Sequence, residues 1–265
     1  MERYTTKSKI KRIKITRNGK EEILFAEYIK EPSKLLSDGK KKKLLSEAGE
    51  LVKKAWGEYS EENITNGVLH AYFLCLVQNK AGDLICFAPL KKYIINKREV
   101  YSFSLTATKP EYQKLGIMKS VDFYLGKKVL LENLFRGKFK IEFLFITPNI
   151  RTLGTIARAA DFIYPNPYSI NPETHRVEEA DEETWNTVRE FLEKAGESYR
   201  SLEREGCIME GFYDDKPQLL YNGETPTHQD KALNDFGEHY LYNKKGRDVV
   251  IRAIISWKRI FRNGF

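Results

Sequence analysis

The sequence is poor in the residues that build disulfide-stapled, metal-bound or membrane-spanning proteins. It has three cysteines in 265 residues, Cys75, Cys86 and Cys207, far apart from one another. Cys75 and Cys86 sit inside apolar, strand-like runs and read as small buried hydrophobes, not as a disulfide framework or a metal knuckle. The four histidines, His70, His175, His228 and His239, show no metal-ligand spacing, so no metal is expected. No window approaches the roughly eighteen consecutive apolar residues of a membrane span, so no membrane partner is expected. Met-Glu-Arg-Tyr-Thr-Thr-Lys at the N-terminus has no apolar stretch behind it and does not read as a secretory signal. There is no internal repeat, and no low-complexity tract beyond Lys40–Lys43. These absences favour a soluble, cytoplasmic protein of a reducing compartment.

What is present is a core and an uneven charge. At 41% hydrophobic and 12% aromatic residues, the chain can bury a substantial interior. The net charge of +8 is not spread evenly: residues 1–140 carry 29 Lys and Arg against 16 Asp and Glu, and residues 141–265 carry 16 against 21. A basic half attracts phosphates, nucleic acid or an acidic partner, and equally suits a solvated lysine-rich surface.

Residues 8–29 read as a hairpin, with Asn18-Gly19 as a two-residue turn. Helical spacing follows over 33–59, with Gly39 as a break between two helices. Strand character returns at Val68–Val77, Leu84–Ile95 and Val100–Thr108, three neighbouring antiparallel strands. The spacing of Ile117, Val121, Leu125, Val129 and Leu134 predicts a helix from Gly116 to about Phe135, ended by Gly137. Phe139–Thr147 is nearly all apolar and suits a strand buried on both faces with a parallel neighbour. A short helix is expected over Ile150–Ala160, then a Pro/Asn-rich segment to Glu173. A charged helix is expected over 179–204, capped by Asp181. Cys207–Tyr213 and Gln218–Tyr221 suit strands. The stretch 222–246 looks loop-like, and Asp248–Phe261 fits strand or helix.

The junction at 105–119, Leu-Thr-Ala-Thr-Lys-Pro-Glu-Tyr-Gln-Lys-Leu-Gly-Ile-Met-Lys, carries the clearest chemistry. A strand ends, the chain turns and a helix begins near Gly116. The first turn of a helix has free N–H groups and a positive dipole end, and a glycine there lets them approach a phosphate. Lys114 and Lys119 add charge. Alone, this is an anion site of a common kind.

Pro110-Glu111-Tyr112-Gln113-Lys114-Leu115-Gly116-Ile117-Met118 resembles the Pro-x-Tyr-(Arg/Gln)-x-x-Gly-x-(Gly/Ala) block of the GCN5-related N-acetyltransferases. Leu144-Phe145-Ile146-Thr147-Pro148-Asn149, with a helix ending at Asp161-Phe162, resembles that family's second block. The likeness covers about residues 66–165. It implies an α/β fold: a mixed, mostly antiparallel sheet with a V-shaped splay between two parallel strands, flanked by helices. Residues 1–168 would form the acyl-CoA-binding domain. Residues 169–265 would form a C-terminal α+β extension on the acceptor side or in a homodimer.

The resemblance further implies a soluble acyltransferase that uses acetyl-CoA or another acyl-CoA and directs an amine onto the thioester. The backbones of Thr106 and Thr108 would pair with pantetheine. The amides of Gln113, Lys114, Leu115, Gly116, Ile117 and Met118, with Lys119, would hold the pyrophosphate, and Asn149 would lie beside the thioester arm. The family's usual helix tyrosine is missing at Thr155–Arg158, which leaves Tyr164, Glu142 and Asp161 as candidates for proton transfer. Each also has a plain structural reading: a half-buried aromatic, a solvent-facing strand residue and a helix cap. Met118, Lys114 and Asp161 depart from the family's small or glycine residues. The acceptor would be a small-molecule or macromolecular amine. A tRNA or DNA base, drawn by the basic half, is a second reading, and a non-catalytic binding protein on the same fold is a third.

Overall fold

The computed structural model describes residues 4–5, 9–57, 60–171, 173–174, 176–211, 225–244 and 246–262. Two compact units interleave along the chain: Met1–Lys92 with Phe103–Val129, and Tyr93–Ser102 with Leu130–Gly264.

In the first unit, β1 (Lys9–Arg17) and β2 (Lys20–Lys30) form the expected hairpin. Asn18 and Gly19 both take positive φ, 50° and 73°, the geometry a two-residue turn needs to match strand twist. β2 pairs antiparallel with β3 (Phe73–Gln78), and β3 with β4 (Leu84–Ile95). Three helices, α1 (Pro32–Leu35), α2 (Asp38–Trp56) and α3 (Glu61–Val68), belong to this unit. Leu44, Leu51, Val52 and Val68 from them pack in one core with Leu74, Leu76 and Phe87 of the strands. Alternate strand residues turn the other way, toward α4 (Ile117–Leu134), where Tyr28 and Tyr124 lie 4.0 Å apart between ring centres.

The second unit is built on β7 (Lys140–Thr147) and β11 (Arg247–Ser256), antiparallel along their length. β5 (Arg98–Phe103) lies parallel to β7, in register at only two pairs, Val100 with Glu142 and Tyr101 with Phe143. The other edge of β11 carries β8 (Phe162–Tyr164) and β10 (Ile208–Glu210), and β9 (Ser201–Glu203) pairs β10. The helices are α5 (Ile150–Ala159), α6 (Glu182–Ala195), α7 (Lys231–Phe236) and α8 (Trp257–Arg262). Val188, Phe191 and Leu192 of α6 pack with Leu144, Met209 and Val250 of the strands.

Among the described residues the chain is thus a mixed α/β protein of mostly antiparallel strands with one parallel pair and flanking helices, as expected. Four local expectations change. The break before α2 falls at Leu36-Ser37, not at Gly39. Residues 61–68 are helical, with the Ser60 hydroxyl accepting from Asn63 N–H at 3.2 Å. The charged helix stops at Gly196, whose φ of 69° ends it, well before residue 204. The stretch 222–246 contains α7 and a π-helical turn over Gly237–Tyr242, because Leu233, Phe236, Tyr240 and Leu241 bury one face. Asp248–Phe261 resolves into a strand and then a helix. The suggested strand at Gln218–Tyr221 lies outside the described residues.

Candidate active site

All of residues 105–119 fall in the first unit. β6 (Ala107–Thr108) is a two-residue strand that pairs antiparallel with β4 through Cys86 and Phe87. Ser104 N–H reaches Pro89 C=O at 3.2 Å, and Lys109 N–H reaches Ile85 C=O at 2.9 Å. That is five steps along one chain against four along the other, so one extra residue bulges out between them. The Lys109 bond also sets the pleat. Ala107 and Lys109 turn their backbone groups toward β4, and Thr106 and Thr108 turn theirs to the outer edge.

The two outward carbonyls are already held. Trp56 Nε1 donates to Thr106 O at 2.9 Å, and Gln113 Nε2 donates to Thr108 O at 3.2 Å. The outward N–H groups of Thr106 and Thr108 have no acceptor among the described residues. The edge therefore offers donors to an extended chain laid beside it.

Beyond β6 the chain makes a 3₁₀ turn over Pro110–Tyr112 and then two left-handed residues, Lys114 at φ 63° and Gly116 at φ 75°. Left-handed residues set among right-handed ones curl successive N–H groups into a concave, anion-binding nest. The amides of residues 114–119 donate to no carbonyl among the described residues, as the start of a helix requires. A Cβ on Gly116 would meet nothing within 4 Å, so the space over the nest is open. Lys114 and Lys119 are exposed, and neither has a carboxylate partner among the described residues.

Two motif residues fasten this loop. Gln113 ties it back to β6. Tyr112 ties it to the first hairpin: its hydroxyl donates to Glu22 Oε1 at 2.9 Å, and Arg17 lies 4.4 Å over its ring and 3.0 Å from Glu22 Oε2. Burial, then the Glu22 contact, raises the Tyr112 pKa and keeps the hydroxyl a donor. Arg17, Glu22 and Trp56 were missed by sequence reasoning, because no local signal links residues so far apart in the chain. Met118 sends its sulfur inward, 3.4 Å from Cys86 Sγ, so its bulk underlies the nest. Beside it on α4, Asp122 Oδ1 is buried without a partner, and burial pushes this carboxyl up to about 7.

The remaining candidates belong to the second unit, each engaged there. Asn149 caps α5, accepting Arg151 N–H at 2.9 Å. The Glu142 carboxylate is buried, not solvent-facing, and meets Arg252 Nε at 2.6 Å and Arg98 Nε at 3.6 Å. Asp161 accepts the Ser256 N–H and lies 3.6 Å from Arg259. Tyr164 Oη accepts Gly206 N–H at 2.9 Å and donates toward Glu178 O at 2.8 Å, and burial raises its pKa.

Neither a protein-family model nor a curated protein matches the sequence. Among solved structures, it is similar to the ribosomal-protein-S18-alanine N-acetyltransferase of Escherichia coli, at 12% identity over 87% of this chain and 94% of that one, with a TM-score of 0.36. A GNAT family N-acetyltransferase from Escherichia coli in complex with CoA matches at 10% identity over 42% and 60%, with a TM-score of 0.29. A GCN5-related glucosamine N-acetyltransferase region of a fungal β-N-acetylglucosaminidase matches at 14% identity over 46% and 13%, with a TM-score of 0.32. The match thus spans 13% and 60% of the last two proteins' lengths when they are taken in the order fungal, bacterial. These overall similarities are low, and the reading of the site rests on its own geometry.

Proposed function

We propose that the protein is an acyl-CoA-dependent N-acyltransferase, with acetyl-CoA as the favoured donor. The observation that carries this is the run of free amides at residues 114–119 behind the outward N–H groups of Thr106 and Thr108. A strand edge with free donors suits an extended, amide-bearing arm, and a helix-start nest suits a diphosphate. Coenzyme A has both, in that order along the molecule. The sequence block at 110–118 supports the same reading.

In the proposed reaction an amine nitrogen forms a bond to the thioester carbonyl carbon, the C–S bond breaks, and the amine's proton passes to the departing thiolate. The chain's contribution is to hold the pyrophosphate and arm so that the thioester is presented in a fixed pose. Tyr164, Glu142, Asp161 and Asn149 stay as proposed participants. A residue acting as general base would, when neutralised, remove the ascending limb of the kcat/KM profile against pH.

Isothermal titration of the protein with acetyl-CoA tests the donor, with saturable binding expected below millimolar concentration. Release of free thiol across a panel of primary amines tests transfer. Absence of any binding at millimolar acetyl-CoA overturns the reading.

A further inference from the structure

Three side chains of the first unit hold a buried oxygen with no hydrogen-bond partner among the described residues: Gln78, Ser104 and Asp122. A polar group withdrawn from water without a partner is destabilising, so each one calls for a reason. Gln78 is anchored by its other end, where Nε2 donates to Gly82 O at 3.1 Å. Asp122 lowers the cost of its burial by keeping a proton until about pH 7. Neither escape is open to Ser104 Oγ.

Its place in the chain supplies a reason. Ser104 stands at the start of the donor edge, two residues before Thr106 and so within about 7 Å of it along the chain. The bulge between Ser104 and Lys109 lies on this stretch. Ser104, Thr106 and Thr108 bring three side-chain hydroxyls to it, and two are committed. Thr106 Oγ1 donates to Ser104 O at 3.1 Å, and the Thr108 hydroxyl hydrogen-bonds Cys86. Of the three, only the Ser104 hydroxyl has no partner among the described residues. Going from the nest, the order of groups is free amides at 114–119, the outward N–H groups of Thr108 and Thr106, then this hydroxyl. Along an acyl-CoA the order is diphosphate, two amides, then the thioester.

We propose that the Ser104 hydroxyl is a catalytic residue that donates a hydrogen bond to the thioester carbonyl oxygen of a bound acyl-CoA. The inference rests on the acyl-CoA reading above. Ser104 is only half-buried as a residue, and a change of χ1 rotamer turns the hydroxyl to the ligand without moving the strand. When an amine nitrogen bonds to the carbonyl carbon, the π pair of the C=O bond moves to the oxygen. A donor already aimed there stabilises that charge more than it stabilises the ground state. The hydroxyl keeps its proton throughout. The oxygen's pair then re-forms the double bond, the C–S bond breaks with its electron pair on sulfur, and the thiolate takes the amine's proton.

Infrared difference spectra of the protein with acetyl-CoA carrying carbon-13 at the thioester carbonyl test this. A hydrogen bond weakens the C=O bond, so the parent is expected to shift the carbonyl stretch to lower frequency and S104A to lose the shift. In titration calorimetry S104A is expected to bind acetyl-CoA about fivefold more weakly and CoA, which has no acyl group, within about twofold of the parent. Its urea midpoint is expected to equal or exceed the parent's, since the hydroxyl removed has no partner among the described residues. S104C keeps a weaker donor in place and is expected to retain at most part of the shift, which serves where S104A does not fold. The proposal is overturned by a parent that binds acetyl-CoA without a shift, or by a full shift in either variant. Equal weakening of CoA and acetyl-CoA in S104A also overturns it, since that would mark a structural role. A parent that binds neither CoA nor acetyl-CoA overturns the acyl-CoA reading itself, and this inference with it.

Discussion

At the scale of single residues, Gly116 and Asp122 make opposite demands on α4. Gly116 is needed for its backbone: φ is 75°, and nothing stands where a Cβ would go. G116A is therefore expected to cost only about 1 kcal/mol of stability, the strain of a left-handed alanine. Its methyl group would stand in the space the pyrophosphate enters, so CoA affinity is expected to fall at least tenfold by titration calorimetry. Equal affinity in G116A would remove the nest from the donor site. Asp122 carries a buried, unpartnered oxygen and a carboxyl raised from the ordinary 3.8 to about 7. In that window the folded state holds a proton that the unfolded state has released. Stability conferred by the neutral carboxyl is thus present below about pH 4 and is lost as pH rises to about 7, by roughly 4 kcal/mol in total. D122N is expected to flatten this slope, as measured by urea midpoints from pH 4 to 8. A slope retained in D122N would show that another group titrates.

At the scale of elements, the parts legible in the sequence were those whose pattern is local. Asn18-Gly19 marked the first hairpin, and the spacing from Ile117 to Leu134 marked α4. Near-continuous apolarity marked β7 and its parallel neighbour. Residues 61–68 hid behind a polar majority, and 231–242 because Asn234, Asp235, Glu238 and His239 interrupt the apolar residues of its buried face. The nest was legible as Gly116 and two lysines, but what fixes it was not. Tyr112 looks like a motif letter until its hydroxyl is seen on Glu22, ninety positions away. Y112F keeps the Arg17 contact with the ring and loses the hydrogen bond. It is expected to cost about 1 kcal/mol and to weaken CoA binding several-fold, because the turn at 110–113 is no longer tied to the hairpin. E22A, which removes the acceptor, should mimic Y112F in calorimetry, and a double variant no worse than either single one would establish the shared contact.

At the scale of the whole molecule, the two units hold different kinds of polar groups. The first has cations at the surface, Lys114 and Lys119, with no carboxylate partner among the described residues. The second has ion pairs in its interior. Arg252, 3% exposed, bonds Glu142 at 2.6 Å, Thr184 Oγ1 at 2.8 Å and Glu183 at 2.7 Å, and so ties β7, β11 and α6 together. Sequence reasoning could see Glu142 as an oddity on an apolar strand but not its partner 110 positions later. Removing one member of a buried pair costs about 3–5 kcal/mol when the other charge is left uncompensated; Glu183 still faces Arg252 at 2.7 Å, which places the loss toward the lower end of that range. E142Q is therefore expected to lower the urea midpoint sharply. CoA affinity, measured under conditions where the variant remains folded, is expected to stay within about twofold of the parent, since every group proposed to grip the pyrophosphate belongs to the first unit. Loss of affinity in step with loss of stability would mean that the grip depends on the second unit's interior. Unchanged stability would mean that Glu142 is not the partner Arg252 requires.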